Sequence, residues 1–157
     1  MRKLAILVIT SIILMSCGGD KAKSEQDFSK PDAEGPAATT SDYDPKRGEG
    51  KYDSVDLSPT LDNALAEKGE NVSGVKCLSC HKTTDEKLVG PGWKGVTERR
   101  RPEWIMNFIT NPDPMIDKDP EVQAQLEICL VRMPNQGLTD DEARSILEYM
   151  RKIDGVQ

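Results

Sequence analysis

From Ser58 to the C-terminus, apolar side chains recur at helical spacing in four stretches, and no run alternates long enough to predict a strand. The first stretch runs from about Leu61 to Val72, with Leu61, Leu65 and Val72 among its apolar positions. Gly69 inside it weakens a helix, and its presence there predicts a close crossing with another helix. The second lies between Pro102, suited to a first helical turn, and Asn111 ahead of Pro112, with Trp104, Ile105, Phe108 and Ile109 as its apolar face. Asp119 and Pro120 open the third as cap and first residue, and Val122, Leu126, Cys129 and Leu130 follow on one stripe. Thr139 and Glu142 form a capping box for the last, which runs to about Ile153 and should bury Ala143, Ile146, Leu147 and Met150. The pattern therefore predicts one small all-α domain of about four helices over residues 58–157.

The chain ahead of this domain obeys different rules. Arg2 and Lys3 precede an apolar run from Leu4 to Met15, too short to span a bilayer comfortably and built like the hydrophobic region of a signal peptide. From Gly18 to Leu57, Ser, Thr, Asp, Glu, Lys, Gly and Pro dominate, and Phe28, Tyr43, Tyr52, Val55 and Leu57 are too sparse for a core. That composition predicts a flexible polar tether over residues 17–57, with a root-mean-square span of roughly 35 Å for about 40 residues. The formal net charge is −6, and loss of Arg2 and Lys3 with a cleaved leader makes it more negative, which argues against nucleic acid as a partner.

Candidate chemistry concentrates at one point. Cys77, Cys80 and His81 form a Cys-x-x-Cys-His run, and His81 is the only histidine in the chain. This is the signature of covalent haem c attachment: two thiols at that spacing can bond both vinyl groups of one porphyrin, and the following imidazole can ligate its iron. A thioredoxin-like pair would need a strand–helix–strand context that the flanks do not supply. A structural zinc site would need more ligands, and the remaining cysteines are Cys129, distant in sequence, and Cys17 near the leader. A porphyrin would also complete the core of a domain with so few aromatic residues.

Two resemblances follow from these residues. Leu14, Met15, Ser16 and Cys17 resemble a bacterial lipoprotein signal, which implies cleavage before Cys17, its lipidation and stable anchoring of an exported chain in the periplasmic space. An ordinary secretory signal is the alternative. Gly69, Cys77 to His81, Gly90 and Pro91, Met133 and Pro134, and the last helix with Tyr149 together resemble a class I monohaem c-type cytochrome of the lipoprotein-anchored bacterial type. The resemblance covers residues 58–157 and implies a small cytochrome c fold around one covalently bound haem. It departs at Ser73, where the family often has an aromatic residue; the contact between terminal helices should then be looser, or filled by Val72 and Val75.

Cys77 and Cys80 would carry the thioether links, and His81 would be one axial ligand. For the other, Met106 and Met150 lie in helical patterns, whereas Met115 and Met133 are read as loop residues. Met133 is favoured because Pro134 follows it and it matches the family's ligand position; Met115 stays open as an alternative. The resemblance also implies that the Pro91 carbonyl accepts a hydrogen bond from His81. Trp93, Trp104 or Arg101, with Arg99 and Arg100, could donate to a haem propionate, the alternative for the arginines being a solvated basic patch. Asn135 could bond the Met133 sulfur or cap a turn, and Cys129 reads as a buried free thiol.

The function so implied is one-electron transfer by a membrane-anchored haem protein that is not an enzyme. Its partners would be respiratory redox proteins, a terminal oxidase or a periplasmic reductase. The run from Val96 to Asn111 and the segment from Met133 to Gln136 are similar to small lipoprotein cytochromes of nitrous oxide respiration, adding nitrous oxide reductase to that class. The alternative is a haem-based gas sensor or ligand-binding enzyme with an open distal iron; an assembly subunit is a third reading.

Overall fold

A computed structural model describes residues 43–157, so the leader, Cys17 and the tether up to residue 42 lie outside the described residues. Six helices follow one another: α1 (Asn63–Lys76), α2 (Val96–Arg99), α3 (Pro102–Thr110), α4 (Pro112–Lys118), α5 (Pro120–Cys129) and α6 (Asp140–Ile153). No strand occurs among the described residues, and the all-α expectation holds.

The terminal helices α1 and α6 form the most extensive helix pair. Asp62 starts α1 by accepting the Leu65 amide at 2.9 Å. The α1 face toward α6 is small and buried, made of Ala66, Gly69 and Ser73. A Cβ on Gly69 would stand 1.9 Å from the Ser145 carbonyl oxygen of α6, so the crossing requires glycine. The contact that Ser73 was expected to loosen is instead closed by backbone approach. Val75 does not fill it, being 85 % exposed, while Val72 is half-buried against the core.

The capping box of α6 forms as expected, with the Glu142 amide 3.2 Å from Thr139 Oγ1 and the Thr139 amide 2.9 Å from Glu142 Oε2. Farther along α6, the fully buried Glu148 accepts from Arg144 and Arg151, both at 2.6 Å, and from the Asp62 amide at 3.0 Å. Burial opposes ionisation of this carboxyl, but the Asp62 amide and the two guanidinium groups prevail and hold it below its ordinary range. The start of α1 is thereby locked to the middle of α6.

Two helices were not foreseen. The one-turn α2 follows Gly95, whose φ of 77° is a left-handed conformation suited to glycine. α4 occupies a stretch read as loop because of Pro112 and Pro114. Those prolines fall in its first turn, where helix amides have no intrahelical partner and lose nothing to a proline ring. Met115 is therefore helical and fully buried. At the end of α5, Leu130 is not a stripe residue: it is the left-handed cap, with φ 60°, and is 82 % exposed. Cys129 is free and half-buried rather than buried.

The polar composition ahead of Ser58 conceals a second departure. Residues 43–57 lie on the domain as a strap, with Tyr43, Tyr52, Val55 and Leu57 packed against its core. Asn107, a buried amide on α3, holds the strap by accepting the Tyr52 amide at 2.9 Å and donating to the carbonyls of Arg47 (3.1 Å) and Tyr52 (3.0 Å). Gly48, at φ 74°, sits against Met115 and Trp104 so closely that a Cβ would fall 2.5 Å from the Met115 methyl. The apolar residues of this segment are too few for a core of their own but complete one already built.

Candidate functional site

The end of α1 delivers the Cys-x-x-Cys-His run. The amides of Cys80 and His81 both donate to the Cys77 carbonyl, at 3.0 and 3.1 Å, which curls the three residues into one tight turn. The following loop returns at once, the amides of Val89 and Gly90 donating to the Cys80 carbonyl at 3.1 and 2.9 Å. That return sets Gly90 against the imidazole: a Cβ there would lie 2.5 Å from His81 Cε1 and 3.0 Å from Nε2. It also brings the Pro91 carbonyl 2.8 Å from His81 Nδ1.

A carbonyl oxygen only accepts, so Nδ1 carries the hydrogen and Nε2 keeps its lone pair. Burial lowers the basicity of His81, with the Pro91 bond opposing, and the balance favours the neutral ring that metal coordination requires. Trp93 stands beside this ring at a centroid distance of 5.7 Å and meets Tyr149 of α6 edge-on at 6.4 Å. The turn from Cys77 to His81 is thus wedged by an indole against the last helix. Cys77 is buried, and burial pushes its thiol up from the ordinary value.

Neither competing reading of the cysteines finds support. A thioredoxin-like site lacks its strands, and among the described residues no three His, Cys, Asp or Glu side chains cluster as metal ligands, so Cys129 does not join Cys77, Cys80 and His81. Two thiols and an oriented imidazole with a free Nε2 do fit a covalently attached haem.

The methionines separate by environment. Met106, Met115 and Met150 are buried in α3, α4 and α6. Met133 is half-buried in the irregular segment between α5 and α6. Asn135, two residues on, accepts the Gly137 amide at 2.9 Å and so caps a turn. Arg132 reaches α4, pairing with Asp113 at 3.2 Å and Asp117 at 3.0 Å.

Family comparison agrees with this geometry. The cytochrome c family model matches residues 66–154. The chain belongs to the cytochrome c family. It is similar in structure to a cytochrome c from Rhodothermus marinus, with a TM-score of 0.64 and 36 % identity over 67 % of this chain and 90 % of that one. An engineered form of the Rhodothermus marinus protein bound to a carbene intermediate gives a TM-score of 0.61 at 35 % identity, over the same shares of the two chains. Comparison with curated proteins returns no match. This cytochrome c accordingly binds covalent haem c and is a haem electron-transfer protein.

Four of the five candidate propionate donors have other partners in this cytochrome c. The Trp104 indole N–H donates to Asp119 at 2.9 Å, and its ring stacks with Phe108 at 5.1 Å and has the Arg100 guanidinium 4.4 Å from its centroid. Arg101 pairs with Glu103 at 3.3 Å. The arginine run is also not simply a solvated patch, since Arg100 pairs with Glu121 and Arg99 donates to the Lys94 carbonyl at 3.0 Å. Trp93 remains beside His81.

Sequence reasoning missed Asp119 and Asn107 as organising residues. Asp119 is the α5 cap that the sequence predicts, accepting the amides of Glu121 and Val122 at 2.9 and 3.0 Å. Its second oxygen accepts from Trp104 and, at 2.5 Å, from the Tyr43 hydroxyl of the strap. Burial works against the charge, but these hydrogen bonds hold the carboxyl below its ordinary value, while burial and Asp119 push the Tyr43 phenol up. For Asn107 a signal existed: an amide in the middle of the otherwise apolar run from Trp104 to Ile109.

Proposed function

We propose that this cytochrome c is an exported, lipid-anchored carrier that passes single electrons to or from a respiratory partner, with His81 and Met133 as axial ligands. The observation that carries the reading is the His81–Pro91 hydrogen bond, which fixes the ring tautomer and leaves Nε2 as the sole free nitrogen. The bound haem supplies a ferric–ferrous couple. The protein's part is to present a neutral imidazole, held by Pro91 and flanked by Gly90 and Trp93, and a neutral thioether from Met133. Two neutral donors, one of them soft, favour the ferrous state and raise the potential relative to two imidazoles.

Export and anchoring rest on the leader and Cys17. No described helix is long and apolar enough to cross a membrane. Acyl chains on Cys17 are the proposed route to a membrane partner. A terminal oxidase or a periplasmic reductase, nitrous oxide reductase among them, is the class of partner proposed. A tethered carrier would meet it through a small, transient interface at raised local concentration.

The test is spectroscopic. The haem-loaded domain and its Met133→Ala variant are compared in the ferric and ferrous states, with carbon monoxide added to each ferrous sample. The wild type should show the far-red band of sulfur-ligated ferric haem and resist the gas; the variant should lose the band and bind it. A wild type without the band that binds carbon monoxide at once would support the open-iron alternative. The carbene-bound engineered relative makes that comparison worth running.

A further inference from the structure

The segment that carries Met133 has two roots, Asp119 at the start of α5 and Asp140 at the start of α6, and the strap bonds to both. At one end the Tyr43 hydroxyl donates to Asp119 at 2.5 Å. At the other, the Tyr52 hydroxyl donates to Asp140 at 2.8 Å, with Lys51 paired to the same carboxylate. Between the ends, Asn107 anchors the strap backbone to α3 through three hydrogen bonds, so the two tyrosines are held from a fixed base. A further set of contacts runs to the same segment through α4. Gly48 packs on Met115, and Glu49 pairs with Lys118, on the helix whose Asp113 and Asp117 hold Arg132, the neighbour of Met133.

From this bracketing we infer that the strap is a positioning device for the distal methionine, with Tyr43 and Tyr52 as positioning residues that restrain the opening of residues 120–139. The inference rests on the reading of Met133 as an axial ligand. The exposed Lys51–Asp140 pair adds little by itself. The effect comes from the hydroxyls, because each is carried by a half-buried ring packed on the core and anchored, for Tyr52, at its own backbone. An external ligand reaches ferric iron only when the methionine is off, so its apparent affinity scales with the open fraction of the segment.

The experiment titrates imidazole into the ferric, haem-loaded full chain and records the far-red sulfur–iron band and the thermal midpoint. Tyr43→Phe combined with Tyr52→Phe keeps both rings and removes both hydroxyl bonds; imidazole should bind about ten-fold more tightly. Tyr52→Phe alone, which leaves the Asp119 network intact, should give roughly a third of that factor. Thr97→Val is the control: it removes a 2.6 Å side-chain bond to Asp154, remote in sequence from residues 119–140, and should lower the thermal midpoint with imidazole affinity unchanged. Unchanged imidazole affinity in the tyrosine variants, or an equal gain in Thr97→Val, overturns the inference and leaves Met133 ligation standing. A wild type without the far-red band overturns both.

Discussion

Gly69→Ala offers the most direct test of what holds this fold. The added Cβ would stand 1.9 Å from the Ser145 carbonyl oxygen, 2.5 Å from its carbon and 3.0 Å from the Ile146 nitrogen. All three are backbone atoms of α6 and cannot turn aside as a side-chain tip would. An ordinary carbon–oxygen contact needs more than an ångström of extra room, so α1 and α6 must separate or shift. A radial gap of about 0.5–1 Å already forfeits a quarter to a half of each dispersion contact across the interface. Overpacking of this kind costs about 1–3 kcal/mol and occasionally more. Against it stands a gain of about 1 kcal/mol from replacing glycine by alanine inside a helix. Because the obstacle is backbone, the upper part of the range applies, and a net loss of roughly 2 kcal/mol is expected, or several degrees in the thermal midpoint.

The same helix supplies the control. Gly74 has nothing within 4 Å of its would-be Cβ, so Gly74→Ala should be neutral or stabilising by up to about 1 kcal/mol. Guanidinium unfolding followed by helical circular dichroism on the haem-loaded domain separates the two. If Gly69→Ala matches the wild type in midpoint, or if both alanines destabilise equally, close backbone approach is not what sets the crossing.

Gly90→Ala should push the His81 ring off the Pro91 carbonyl, because the new methyl would meet Cε1 at 2.5 Å and Nδ1 at 2.9 Å; a haemochrome assay should show less attached haem and a disturbed axial spectrum, and an unchanged yield and spectrum would remove Gly90 from the site. Asp119 titrates below its ordinary value of 3.8 in the folded protein, so its contribution is present above that value and is lost as pH falls through the lower folded one. Urea unfolding across this acid range should show a stability loss that is smaller in Asp119→Asn, and superimposable slopes would contradict the depressed carboxyl.

What could be read from the linear chain is what adjacent residues decide among themselves. The Cys77–His81 turn spans five residues, so the haem attachment chemistry is written in the spacing. The Thr139–Glu142 box and the Asp119 cap act over three residues, and the helices they begin start where the pattern put them. Gly69 foretold a crossing, because a glycine inside a helix is costly unless something approaches it. Even α4 was in principle legible: Pro112 and Pro114 stop a helix only when they stand beyond its first turn.

The tertiary structure alone decided what depends on pairing across distance. Tyr43 meets Asp119 and Tyr52 meets Asn107 and Asp140 over separations of more than fifty residues, and no local pattern encodes those choices. The same polar composition that predicts a tether also describes a strap, because what separates them is whether a few aromatic and amide contacts find a preformed core to dock on. Trp104 illustrates the point in one side chain. Its indole is an equally good donor to a propionate or to a buried carboxylate, and only the folding of α3 against the start of α5 brings Asp119 to it first.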